Sequence, residues 1–174
     1  MGTFGTDDTL QEDKRLLTVL IKDPEAASIY FSRVVCDLAL ALGCMKLHKK
    51  TGKRKYKRSA WKVFQWLEKL HGKKASIAMG PYRLVRAERM AVEGDKHSWE
   101  SIQAEYIDAV EQSRQHGGFA AVEGYAFERL AVLAAGHDDH DTSQMYYRQA
   151  LTTYENWGAS EKVKQLLIVL DERR

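Results

Sequence analysis

Apolar residues recur every three or four positions through most of this chain, and nowhere alternate with period two over the length of a strand. That spacing marks one face of an α-helix and predicts an all-α fold without a sheet. The pattern gives eight segments. One at 9–22 points Leu16, Leu17 and Leu20 inward and stops at Asp23-Pro24. A second, to about 47, carries Phe31, Val35, Leu38, Leu42 and Met45. A third starts near Ser59, a suitable N-cap, and carries Trp61, Val63, Phe64, Trp66, Leu67 and Leu70 as far as His71-Gly72. Gly80-Pro81 opens a fourth, stopped by Gly94. A fifth covers 98–115, a sixth 120–135, and a seventh 142–156, stopped by Gly158. The eighth opens at Ser160 with Glu161 in its first turn. Residues 1–8 form a polar terminus, and 9–174 one helical domain interrupted by a basic loop at 46–58.

Within this pattern, 102–117 and 143–158 repeat at an offset of 41 residues. Ile102, Tyr106 and Ala109 in the first copy match Ser143, Tyr147 and Ala150 in the second. Each trio sits at i, i+4, i+7 on one helical face, and a glycine closes each copy. A period of this size marks stacked helical hairpins, none of which can bury its apolar stripe alone. Ala87, Ala91, Ala109 and Ala150 let helix backbones approach, and the tyrosines fill the spaces between hairpins. Trp157, in the register of His116, continues the Tyr147–Ala150–Tyr154 stripe. It is expected to be buried under the turn and against Val163 and Leu166, with Gly158 in the left-handed conformation.

Composition agrees with a helical domain. The 174 residues include only 2 prolines, and 44% are apolar, enough for a packed core. There is no run long enough to cross a membrane and no signal-peptide core, so a soluble cytoplasmic protein is expected. Met1-Gly2-Thr3-Phe4-Gly5-Thr6 fits the loose N-myristoylation pattern, but the motif is short and degenerate, and a flexible start is the better account. Cys36 and Cys44, eight residues apart on one predicted helix, stand about 12 Å apart, beyond disulfide reach. Both are expected to be reduced and buried.

The net charge of +3 conceals an asymmetry. Nine Lys or Arg and no acid fall within 46–62, leaving a balance of −6 elsewhere. Lys53, Arg54, Lys55, Lys57, Arg58 and Lys62 run directly into the aromatic helix. Such a segment suits nucleic-acid phosphates, an anionic membrane surface or a calmodulin-type partner, and it also resembles a nuclear-localisation patch. A solvated face beside a core helix is the plain alternative. The calmodulin-type option fails if Trp61, Phe64 and Leu67 are buried.

The order of motifs in the second half carries a family resemblance. Leu84-Val85-x-Ala87-Glu88 precedes Ile102-x-x-x-Tyr106-x-x-Ala109, Gly118-Phe119 and Glu128. Then comes Ser143-x-x-x-Tyr147-x-x-Ala150-x-x-x-Tyr154-x-x-Trp157-Gly158-Ala159-x-x-Lys162-Val163-x-x-Leu166. Over 80–170 this resembles the tetratricopeptide-like (TPR-like) helical region of large STAND-type signalling ATPases. In those proteins it is fused to kinase, GAF or histidine-kinase modules, and it also occurs in some class III nucleotide cyclases. The resemblance implies an array of antiparallel hairpins that links or regulates other modules. It carries over no catalytic residue.

No enzyme signature stands against that reading. There is no phosphate-binding loop, dinucleotide fingerprint or nucleophile elbow. His137-Asp138-Asp139-His140-Asp141 is rich in metal-ligand types, but all five fall in one linker, where Asp141 suits a helix cap. His71 and His116 lie at helix ends, where a positive charge would favour the dipole. The expectation is a non-enzymatic protein-interaction or scaffold module with no metal and no cofactor. Its partner is another protein, or an acidic surface at the basic segment.

Overall fold

The computed structural model describes residues 24–116 and 119–171, with the side chains of 32–94, 96–116 and 119–171. The helix expected at 9–22 and the N-terminal motif lie outside the described residues. Seven helices succeed one another among the described residues: α1 (Pro24–Thr51), α2 (Arg54–Gly72), α3 (Met79–Glu93), α4 (Trp99–Gln115), α5 (Ala120–Gly136), α6 (His140–Trp157) and α7 (Ser160–Asp171). Single 3-10 turns at Ser76–Ala78 and Gly94–Lys96 lead into α3 and α4. Among the described residues there is no strand.

Two compact units divide inside α1, the first ending at Asp37 and the second starting at Leu38. In the first, Arg33 Nε lies 3.5 Å from Asp37 Oδ2 one turn on, and Cys36 is exposed rather than buried as expected. The second unit holds the hairpins. α3 packs on α4 and α5 on α6, while α4 also meets α5 and α6 meets α7. The pairing is antiparallel. A Cβ on Gly80 would touch Ser113, and Glu88 bonds Tyr106, in the first hairpin. A Cβ on Gly124 would touch Tyr154, and the Ala131 carbonyl meets Ser143, in the second.

The 41-residue repeat is a repeat of packing. Ile102, Tyr106 and Ala109 on α4 are buried, and so are Ser143, Tyr147 and Ala150 on α6. Ser143 takes the place of an apolar side chain because its hydroxyl donates to the Ala131 carbonyl at 2.8 Å. One further pair obeys the same offset. Ser113 and Tyr154 each stand where a glycine of the preceding helix comes close. A Cβ on Gly80 would lie 2.9 Å from Ser113 Cβ, and one on Gly124 would lie 2.5 Å from Tyr154 Cε1. These glycines set how tightly each hairpin closes.

Helix ends differ from expectation in three places. The basic loop expected at 46–58 is helical, with only Gly52 and Lys53 between α1 and α2. Lys and Arg are good helix formers, so only the positive φ of Gly52, 66°, breaks the run. Ser59 lies inside α2, and the cap position is Lys53, whose side chain makes no capping bond. On α6 the cap is Asp139, accepting from the Thr142 N–H at 3.1 Å, rather than Asp141. Gly158 closes α6 at φ 79°, as expected.

Trp157 is not the buried clasp that its register implied: it is 54% exposed. It is the last residue of α6, and its ring meets Tyr154 tilted, with centroids 6.4 Å apart. The buried stripe runs out one turn before the helix does, at Tyr154. Leu166 is the buried residue of α7. The third predicted helix is likewise split: Phe64 and Leu67 are buried, while Trp61 is 36% exposed with Arg89 4.0 Å over its ring.

This contrast sets a stability prediction. Ala150→Glu puts a charge into a fully buried site between hairpins and should destabilise the fold by about 3–5 kcal/mol. Trp157→Ala should cost only about 1 kcal/mol, because half of the ring is already in water. Chemical denaturation of both variants checks the assignment. Equal costs would show the interior face of α6 to be wrongly placed.

Candidate functional site

Two carboxylates organise the interior of the hairpin array. Glu88 on α3 accepts a 2.7 Å hydrogen bond from the Tyr106 hydroxyl on α4, and another from Arg129 Nε on α5. Glu128 on α5 accepts from the Tyr154 hydroxyl on α6 at 3.1 Å, and from Lys162 Nζ on α7 at 2.8 and 3.1 Å. Each rung thus joins the two helices of one hairpin to the next helix along the chain. Charge-assisted bonds of this kind are roughly twice as strong as neutral ones.

The rungs fix their tyrosines in the neutral form. Burial pushes the Tyr106 hydroxyl well above its ordinary range, and the Glu88 charge adds to it. Burial and then Glu88 do the same to Tyr125. Burial and then Glu128 do it to Tyr154. Burial alone would lower the Arg129 guanidinium, but the Glu88 carboxylate beside it more than reverses that.

Above the rungs lies a cleft of about 450 Å3 between the second half of α1 and helices α3, α5 and α7. Leu42, Met45, Ala91, Val92 and Val132 give it an apolar wall. Glu88, Arg129, Glu128, Lys162 and Tyr125 give it a polar floor, and Lys46 and Lys49 contribute from α1. The volume falls within the range of small-molecule and peptide-anchor sites. Its floor consists of mutually paired charges, so its donors and acceptors stand in a fixed pattern.

Lys53 at the cap and Arg54, Lys55, Lys57, Arg58 and Lys62 in the first half of α2 are all exposed. They do not meet the cleft; of the basic stretch only Lys46 and Lys49 do so. Tyr106 and Tyr154 are rung residues, and Tyr147, Ala109 and Ala150 are core. Trp157 borders a second, open groove of about 840 Å3 with Phe127, Met145 and Tyr146. His137 succeeds α5 and stacks on Trp99 at 5.1 Å, and Asp138 adopts a positive φ of 60°. Together with the Asp139 cap, these roles account for the turn whose composition suggests metal ligands. No group of three metal-ligating side chains occurs among the described residues. His71 packs on Tyr82 with the rings tilted and centroids 4.3 Å apart, and burial, then Arg83, lowers its pKa. It therefore favours the neutral form, and packing explains it better than a charge at the helix end.

Glu88, Glu128 and Lys162 appear in the motif that carries the family resemblance, yet the resemblance assigns them no role. Arg129 and Tyr125 carry no sequence signal. One cue is available for Glu88: it sits at i+4 from Leu84 and i+3 from Val85, inside a buried stripe. A carboxylate on such a face requires a buried cation or hydroxyl.

The rungs make alkaline pH a probe. Each folded-state tyrosine pKa lies above its unfolded value, so the neutral form belongs to the fold. That contribution is complete below about pH 10 and is lost as pH rises through the folded values. At about pH 11, absorbance at 295 nm should show Tyr106, Tyr125 and Tyr154 un-ionised among the 8 tyrosines while the chain is folded. All should ionise on unfolding in guanidinium. A single titration of every tyrosine near pH 10 in the folded chain would contradict the rungs. No family model, curated protein or solved structure matches this chain, so its site is interpreted from its own geometry.

Proposed function

We propose that this chain is a non-enzymatic, tetratricopeptide-like interaction module that serves as a regulatory or scaffold element within a signalling protein or assembly in the cytoplasm. The observation that carries the reading is the cleft between α1, α3, α5 and α7, floored by two charge rungs that the hairpin array itself builds. A protein segment placed there meets an apolar wall and a preset pattern of charges. Preorganised polar groups add specificity without an ordering cost at the moment of binding. No helix among the described residues is long and apolar enough to cross a membrane, and interaction with partners needs no such span.

The chemistry of the cleft favours recognition over turnover. Both carboxylates of the floor already accept two or more strong bonds, which leaves neither poised as a general base. The STAND-type resemblance points the same way, because the chemistry of those proteins lies in other modules.

Val132 supplies the test. It lines the cleft and is 42% exposed, so Val132→Arg alters the wall without disturbing the rungs. A partner recovered with the wild-type chain, then purified, should bind at least about tenfold more weakly to Val132→Arg in calorimetry. The purified chain should release no phosphate from ATP or GTP with magnesium. Equal affinity of the two proteins, or turnover proportional to chain concentration, would contradict the proposal.

A further inference from the structure

The outer face of α2, extended by its C-cap Lys73, carries a row of cations longer than the basic segment itself. Lys55, Arg58, Lys62, Lys69 and Lys73 succeed one another at spacings of 3, 4, 7 and 4 residues, all exposed. At 3.6 residues per turn they share one face, opposite the buried Ala60, Val63, Phe64, Leu67 and Leu70. The row is about 27 Å long at 1.5 Å per residue. Arg54 and Lys57 widen it at the start, and Lys46, Lys49 and Lys50 end α1 just before it. Glu68 is the single acid on α2. Among the described residues no Lys or Arg from 46 to 74 takes part in an ion pair. The other surface cations are often engaged: Arg83, Arg86, Arg89, Arg114 and Lys162 all hold carboxylates.

α2 also begins against its own dipole. Its first turn contains no acid, its cap position is Lys53, and no side chain caps it. Basic residues at a helix N-terminus are unfavourable by a few tenths of a kcal/mol or more each. Stability alone does not favour this sequence.

We propose that the outer face of α2 binds the phosphate backbone of nucleic acid without reading base sequence. The row falls somewhat short of one duplex turn of about 34 Å and matches a linear, evenly charged polymer. Four of its five members are lysines, point charges suited to a continuous phosphate field rather than to the bidentate geometry of a protein carboxylate. A membrane surface fits less well. Interfacial helices bury an apolar face in the lipid, whereas the apolar face of α2 is already buried in the protein. Trp61 stacks on Phe64 with centroids 5.3 Å apart under Arg89, and is not free to insert. Base stacking on Trp61 is blocked for the same reason, so the row itself meets phosphate. None of the five cations of the row lines the cleft.

Fluorescence anisotropy of the full chain with a 20-base-pair DNA duplex, a 20-base-pair RNA duplex and vesicles containing phosphatidylserine tests the proposal. Binding to one or both duplexes is expected, changing less than about threefold when the base sequence is scrambled. Affinity should fall roughly 100-fold or more between 50 and 200 mM salt, as release of about four counterions requires. Lys55→Glu/Arg58→Glu/Lys62→Glu should lose at least about 50-fold, and the milder Lys55→Gln/Arg58→Gln/Lys62→Gln about tenfold, with unchanged circular dichroism. Lys96→Glu/Arg148→Glu/Lys164→Glu, with the same change of charge away from α2, should change less than threefold. No binding to either duplex at 50 mM salt would overturn the proposal. So would vesicle binding tighter than duplex binding, sequence-dependent affinity, or equal loss in the two charge-reversed variants. The two duplex arms show whether the phosphate polymer is DNA or RNA.

Discussion

The carboxylates of Glu88 and Glu128 are the points on which the hairpin array depends. A helical hairpin has one apolar stripe and can slide or rotate on its neighbour while still burying it. A buried carboxylate removes that freedom, because it must be met by a hydroxyl and a cation at fixed positions. Buried Glu88 requires Tyr106 from its own hairpin and Arg129 from the next, and Glu128, half-buried, holds Tyr154 and Lys162 in the same arrangement. Stacking by apolar burial supplies most of the stability, and the rungs select one register. The cleft floor is the exposed edge of those same groups, so the element that orders the array also lines the cleft.

Much of the fold is legible from spacing alone. Tyr106, Ala109, Tyr147 and Ala150 stand on one face at a constant offset, and a constant offset is what stacked hairpins impose on their packing positions. The rungs are not legible, although they too form a repeat. From the first to the second the carboxylate moves by 40 residues, the tyrosine by 48 and the cation by 33. Polar side chains reach across helices from different turns, so their equivalence lies in space and leaves no period in the chain. The missing break at 46–58 has a simpler cause. Dense charge reads as a loop, but Lys and Arg favour helix, and solvation of the charges does not oppose it. Trp157 shows the opposite limit. Its register places it on the stripe, yet a stripe is buried only as far as a neighbouring helix covers it.

Charge is partitioned between the two ends of the described chain. In the hairpins, acids and bases meet in pairs and rungs: Arg83 bridges Glu105 at 3.0 Å and Asp108 at 2.9 Å, and Arg114 holds Glu123 at 2.8 Å. From the end of α1 through α2, the cations stand outside ion pairs, with Glu68 the single acid on α2. The first arrangement specifies a structure. The second is costly at a helix start and stores an electrostatic field that falls off within about 10 Å at ordinary salt.

The dependence of the array on the Glu88 rung is tested most directly by a double-mutant cycle between Glu88→Gln and Arg129→Met, measured by denaturation. Either change alone leaves one charge of the rung without its opposite at the floor of the cleft, where Glu88 is almost fully buried and Arg129 mostly so, and should cost about 3 kcal/mol. The two together should cost clearly less than their sum, with a coupling of about 2–3 kcal/mol. Additive costs, with coupling below about 0.5 kcal/mol, would show that the hairpins find their register without the rung.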